Sequence, residues 1–259
     1  MATCLEKKVC VVTGAARSIG LAVAERYCQD GARVVMIDIN PEVEKQAERL
    51  ASEGHDVKAY VLDVTDRDAV HKVFDEIYNE LGPVYALVNN AGIVDQRPFE
   101  EITAEQMDRQ MRVNVSGTLF CTQGAIRGMK ENKAGKIINF SSKSGKTGSA
   151  LMVHYSAAKG AIIALTQALA YELAEHKINV NCVCPGITDE TGVWGEVSKG
   201  YIHNLKLPRE EVIKKFTAKI PLKRLTSIQD VVEFVHFLTV SGDYCTGQAF
   251  NITGGREMH

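Results

Sequence analysis

Val9-Cys10-Val11-Val12-Thr13-Gly14-Ala15-Ala16-Arg17-Ser18-Ile19-Gly20 runs from an unbroken apolar stretch, through a glycine-punctuated turn, into the amphipathic segment Leu21 to Gln29. A strand apolar on both faces belongs inside a covered parallel sheet. Glycine lets the backbone turn tightly where strand gives way to helix. The helix N-terminus there offers unpaired N–H groups and a positive dipole end, suited to a pyrophosphate. Gly14, Arg17, Ser18, Ile19 and Gly20 are therefore candidate cofactor-binding residues. Such a turn alone is a weak signal, and Asp38 strengthens it. Asp38 closes the next apolar run, Val34-Val35-Met36-Ile37, 18 residues beyond Gly20, where a carboxylate can bind adenosine ribose hydroxyls. Ile39 and Asn40 follow it, with no cation to receive a 2′-phosphate, so NAD is expected over NADP. Arg17 pulls the other way, but Asp38 would be the nearer group.

Outward from this unit, short β-branched runs recur at Val9 to Thr13, Ala32 to Asp38, Val57 to Leu62, Tyr85 to Asn89, Lys136 to Ser141, Ile178 to Cys184 and Gln248 to Ile252, with helical patterns between them. Repeated strand and helix alternation implies right-handed crossovers. The fold class expected is α/β: a doubly wound parallel sheet of about seven strands with helices on both faces. No linker, repeat or low-complexity tract divides the 259 residues, so 1–259 is read as one domain. The polar stretch from Thr188 to about Ile220, with Gly192, Gly195, Gly200 and Pro208, interrupts the rhythm after a strand, where a substrate lid would sit.

With 45% hydrophobic and 24% charged residues the chain reads as soluble and globular. A formal net charge of -2 without a basic stripe argues against a nucleic-acid partner and for a small molecule. No apolar run approaches the ~20 residues of a membrane span, and a cytoplasmic location is expected. The seven cysteines, Cys182 and Cys184 included, sit mostly among apolar neighbours without a metal-like pair, so they are read as free thiols with no metal site.

Tyr155 and Lys159 lie four apart in the apolar-periodic stretch Val153 to His176 and share a helix face. A phenol titrates near about 10, and an adjacent ammonium would lower it toward use as a base. Taken alone, such a pair is more often exposed and structural. Three companions change that reading. Ser142 follows the strand Lys136 to Ser141, thirteen residues before Tyr155. Asn90-Ala91-Gly92 follows the fourth strand, and Asn114 lies on the next helical stretch, Ala104 to Lys130. All could face one crevice at the carboxyl edge of the sheet.

In order and spacing, over essentially the whole chain, these motifs resemble the short-chain dehydrogenase/reductase family, whose fold is of Rossmann type. The resemblance implies Tyr155 as catalytic base, Ser142 bonded to the reacting oxygen, Lys159 on the nicotinamide ribose and lowering the Tyr155 pKa, and Asn114 holding a water for a proton relay. It also places Asp63 and Val64 by the adenine, Asn90, Ala91 and Gly92 along the cofactor, and Pro185, Gly186, Ile187 and Thr188 at the nicotinamide end. A homotetramer is implied too. Two departures stand out: Ser18 where the family usually has glycine, and Glu190 where it often has threonine, with Thr188 and Thr191 flanking. Short segments further resemble polyol dehydrogenases of the family, sorbitol-6-phosphate dehydrogenases among them. Lys143 and Lys146 either attract an anionic group such as phosphate, carboxylate or sulfonate, or are solvated loop lysines, the commoner case. Ser142, Lys143 and Tyr155 form the expected substrate set. His154 either lines the pocket or lies on the helix surface. The rival enzyme reading is an NADPH-dependent 3-ketoacyl thioester reductase; a non-catalytic dinucleotide-binding sensor is the rival outside enzymes.

Overall fold

All seven expected runs become strands: β1 (Val9–Thr13), β2 (Arg33–Asp38), β3 (Val57–Val61), β4 (Val84–Asn89), β5 (Gly135–Phe140), β6 (Ile178–Pro185) and β7 (Ala249–Ile252), in a computed structural model that describes residues 4–189 and 208–258. They pair in parallel in the order β3-β2-β1-β4-β5-β6-β7. The order reverses direction between β1 and β4, so the crossovers leaving these strands go to opposite sides and a crevice opens at their carboxyl ends.

Both faces of the sheet are covered, by α1 (Ser18–Gln29) and the helix Ile228–Val240 on one side and by α3 (Arg67–Leu81), α5 (Gly117–Asn132) and α7 (Val153–Leu173) on the other. The two-residue period of a strand explains why. In β1, Cys10 and Val12 join the first cluster while Val9 and Val11 join the second; in β2, Val34 and Met36 part from Val35 and Ile37 in the same way. Among the described residues no helix is long and apolar enough to cross a membrane. The cysteines are unpaired, and Cys182 and Cys184 are buried against Ile162.

Helix starts differ in a way that bears on function. Asp66 caps α3 by accepting from Ala69 N–H at 3.0 Å, and capping boxes close α4 (Ala104–Met111), with Thr103 and Gln106, and the helix Ile228–Val240, with Ser227 and Asp230. α1 has no side-chain cap and no acid in its first turn. Its N-terminus faces the crevice without a side-chain cap or an acid of its own first turn. The helix also begins earlier than the apolar pattern indicated, at Ser18, whose φ is +57°. A left-handed conformation costs a non-glycine residue roughly 1–2 kcal/mol, partly offset by the lower chain entropy of serine against glycine. Ser18→Gly is therefore expected to raise stability by about 0.5–1 kcal/mol in urea unfolding; a loss of stability would show that the hydroxyl makes a stronger contact than the strain it accompanies.

Two elements depart from the sequence pattern. The stretch Ala104 to Lys130 is not one helix: a π turn, Arg112–Ser116, separates α4 from α5. Its centre, Asn114, donates through Nδ2 to the Gln110 and Ile93 carbonyls at 3.1 and 3.0 Å and accepts from Ile93 N–H at 3.3 Å. These bonds tie the widened turn to the chain leaving β4. The second is α6 (Lys143–Thr147), a short helix where a loop was expected; Ser142 caps it, accepting from Ser144 N–H at 3.1 Å. Of the expected lid, 188–220, residues 190–207 lie outside the described residues, Glu190 and Thr191 with them. The helix Arg209–Thr217 is its main described part.

Candidate active site

A cavity of about 540 Å³ occupies the crevice at the β1/β4 switch point. Its adenosine-side wall is built from backbone. Thr13 Oγ1 accepts from both Asn90 N–H and Ala91 N–H at 3.1 Å, and Asn90 Nδ2 donates to the Thr13 and Gly14 carbonyls at 3.1 and 3.0 Å. These bonds clamp the turn after β1 to the end of β4. The packing leaves no room for side chains: a Cβ at Gly14, where φ is +67°, would lie 2.8 Å from Asn90 Nδ2, and one at Gly20 only 2.1 Å from the Gly14 carbonyl oxygen. A backbone cradle at an uncapped helix start fits a pyrophosphate.

At the end of β2, Asp38 lines the cavity, with Oδ2 accepting from Ala16 N–H and Oδ1 from Asn40 N–H, both at 2.9 Å. Each oxygen keeps a further lone pair for a ribose hydroxyl. Ile39, Asp63, Val64, Ala91 and Gly92 continue this wall; Pro185, Gly186, Ile187 and Thr188 stand at the other end. There Gly186 N–H donates to Ile252 O at 3.0 Å, and Thr226 Oγ1 to the same carbonyl at 3.1 Å.

The remaining candidates converge on one wall. Asn114, Ser142, Tyr155 and Lys159 all line the cavity, and Lys143 does too. Gly145 makes this possible, since a Cβ there would sit 2.6 Å from the Lys159 carbonyl carbon; α6 thus lies directly on α7, and Ser142 reaches Tyr155. Ser141 Oγ secures the same contact by donating to Lys159 O at 2.7 Å. Below, a buried polar chain joins the elements: Asn89 Nδ2 donates to Asn139 Oδ1 at 2.9 Å and to Thr122 Oγ1 at 3.1 Å, and Asn139 Nδ2 to Thr166 Oγ1 at 3.0 Å. Met152 and Tyr155 pack with Val212, Ile220 and Leu225, so the helix Arg209–Thr217 helps to roof the phenol.

Tyr155 is pushed up to about 12 by burial, and the hydrogen bond with Ser142 opposes that rise. Lys159 is itself pulled down to about 8 by burial. Its Nζ donates to Phe140 O at 2.8 Å and stands 5.8 Å from the Tyr155 ring centroid. Gly20 is buried behind the turn and does not line the cavity. Lys143 is no solvated loop residue, its side chain being 16% exposed, whereas Lys146 lies outside the cavity lining. His154 is neither pocket nor surface: it is 1% exposed, with Nε2 3.6 Å from Asp95 Oδ2. Sequence reasoning missed Arg109, Phe216 and Arg256 in the lining.

The short chain dehydrogenase family model matches residues 8–201, taking in the turn, the crevice and the Tyr155–Lys159 helix. The chain belongs to the short-chain dehydrogenases. It is thus an oxidoreductase of alcohol and carbonyl groups that works with a dinucleotide. Among short-chain dehydrogenases it is similar to the sorbitol dehydrogenase of Cereibacter sphaeroides, 39% identical over 98% of this chain and 99% of that protein. It is also similar to the 3-oxoacyl-[acyl-carrier-protein] reductase FabG of Aquifex aeolicus, 34% identical over 97% and 98%. The crystal structure of NAD⁺-bound xylitol dehydrogenase superposes with a TM-score of 0.90, covering 97% of this chain and 99% of that one at 30% identity.

Proposed function

We propose that this short-chain dehydrogenase interconverts a secondary alcohol of a polyol or sugar derivative and the matching ketone, with NAD as cofactor. The observation that carries the reading is Asp38, a carboxylate in the cavity at the end of β2 beside the uncapped α1. It favours a free 2′-hydroxyl over a 2′-phosphate. Likeness to a sorbitol dehydrogenase and to a xylitol dehydrogenase with NAD⁺ bound supports the substrate class.

Bound nicotinamide would supply the hydride acceptor at C4 and, when oxidised, a positive charge favouring a nearby phenolate. In oxidation, Tyr155 Oη takes the proton of the substrate hydroxyl while hydride leaves the carbinol carbon. Ser142 Oγ donates to the substrate oxygen as it becomes a carbonyl. Lys159 holds the ribose of the nicotinamide half. Asn114 spends its amide on Ile93 and Gln110 and so fixes the chain leaving β4 against the cavity; we assign it a positioning role, with a relay water nearby. A homotetramer working in the cytoplasm completes the reading.

Absorbance at 340 nm, with NAD⁺ and NADP⁺ offered in parallel to free polyols, their phosphates and sugar acids, tests it. NADH formed with a polyol or polyol derivative is the expected result. The second reading, a 3-ketoacyl thioester reductase, is favoured by the FabG likeness and by Arg17 in the lining; reduction of ketoacyl thioesters by NADPH would establish it instead. Asp38→Asn keeps an amide oxygen for Ala16 N–H but removes the charge. It is expected to lower kcat/KM for NAD⁺ by about 10- to 100-fold, the range of one hydrogen bond to a charged group, while raising relative use of NADP⁺. Unchanged NAD⁺ kinetics would rule out ribose recognition by Asp38.

A further inference from the structure

Lys143 and Arg256, like Arg109, line the cavity and have no part in the chemistry just assigned. Lys143, the first residue of α6, is next to Ser142, and Arg256 belongs to the turn after β7. Their side chains are only 16% and 18% exposed. The turn that carries Arg256 is pinned at several points: Arg256 N–H and Glu257 N–H donate to Thr253 O and Thr253 Oγ1, both at 3.3 Å, and Asn251 Nδ2 donates to Glu257 O at 3.0 Å. The Arg256 guanidinium lies 5.6 Å from the Phe216 ring centroid, which holds its plane at the cavity wall.

Among the described residues, charge is not balanced here. A single carboxylate oxygen, Glu257 Oε1, serves both cations, 3.3 Å from Arg256 Nε and 4.0 Å from Lys143 Nζ. Burial, and then the charges of Arg256 and Lys219, hold Lys143 below the usual lysine range despite Glu257. Two shielded cations sharing one acid leave a net positive charge facing the cavity, with guanidinium and ammonium N–H groups to direct at an oxyanion.

We propose that Lys143 and Arg256 form a subsite for an anionic group, a phosphate, sulfonate or carboxylate, at the non-reacting end of the substrate whose alcohol meets Tyr155 and Ser142. The proposal rests on the cavity being the site of alcohol oxidation. It makes the physiological substrate an anionic hydroxy compound. Glu257 tunes the site by lowering its charge and orienting Arg256.

The first test is binding, with the protein saturated in NADH so that the pyrophosphate cradle is filled. Inorganic phosphate, methanesulfonate and acetate are titrated by calorimetry. Saturable binding of at least one anion is expected, weakened about 10- to 100-fold by Lys143→Met and by Arg256→Met and strengthened by Glu257→Gln. Arg256→Lys, which keeps the charge, recovers part of the loss and separates recognition from misfolding. The anion that binds best identifies the group. No saturable anion binding, or binding indifferent to both methionine variants, overturns the subsite. The second test compares a polyol with its phosphate, sulfonate or acid counterpart in turnover. A counterpart preferred through KM, with that preference lost in Lys143→Met, supports the subsite. Equal turnover of neutral and anionic forms overturns it and leaves the polyol reading intact. Variant-sensitive anion binding without turnover of any alcohol leaves the subsite standing and removes the polyol reading.

Discussion

Replacement of Tyr155 by phenylalanine is expected to lower kcat by about 10²- to 10⁴-fold, the range of a positioned acid/base group, while NADH binding, followed by nicotinamide fluorescence, stays near its original strength. The ring keeps its place against Met152, Val212 and Leu225, so only the hydroxyl is removed. The pH dependence supplies a second readout. Burial holds the phenol up at about 12, so the neutral form prevails near pH 7 in the free protein. Alcohol oxidation needs the phenolate, and its rate therefore rises with pH; ketone reduction draws on the neutral phenol and falls as pH rises. The variant is expected to lose both trends. A near-normal rate with phenylalanine would remove Tyr155 from the proton transfer.

The second large effect is expected at Gly20. In a helix interior alanine is ordinarily favoured over glycine by about 1 kcal/mol, so local propensity alone predicts a more stable protein. Sterics reverse the sign. The added methyl would lie 2.1 Å from the Gly14 carbonyl oxygen and 2.6 Å from Asn90 Nδ2. The first of these is backbone, so the turn after β1 must move. Overpacking of this kind costs about 1–3 kcal/mol, and the displaced turn is the proposed pyrophosphate cradle. Gly20→Ala is expected to lower the melting temperature and to weaken NADH binding on the order of 10-fold or more, since the cradle works by aimed N–H groups. Unfolding curves and fluorescence titration check this, and an unchanged affinity would detach the turn from cofactor binding.

Residues whose pattern repeats were legible from sequence, and those whose placement depends on distant partners were not. Val9 to Val12 and Val34 to Ile37 announced buried parallel strands because every position is apolar, and the observed strand bounds agree to within a residue or so. Asp38, Ser142, Tyr155 and Lys159 were readable because each follows a strand end or keeps helix spacing. The π turn around Asn114 was invisible, since Arg112–Ser116 is too short to show a period of its own. The α6 helix was too short to show one. Arg256 carried no signal at all, and Lys143, though singled out beside Ser142, kept a solvated alternative; only the meeting of α6 with the turn after β7 buries both. The Tyr155–Lys159 spacing suggested a direct electrostatic effect; it did not show that burial would weigh on both groups or that the ammonium would donate to Phe140 O.

The sheet order carries a kinetic consequence. Neighbours β1 and β2 pair residues 24 apart, as in Val9 with Arg33, whereas the β1/β4 seam joins Thr13 to Asn90, 77 apart. Closing the longer loop costs about 1 kcal/mol more in chain entropy, and such non-local pairing slows folding. The proposed cradle for the dinucleotide lies on that seam, so it is assembled only after the longest of the strand-to-strand closures has been made. Cofactor then arrives too late to hasten refolding, yet it bridges the seam once formed and retards its opening. A dinucleotide held there acts as a brake on unfolding rather than as a template for folding.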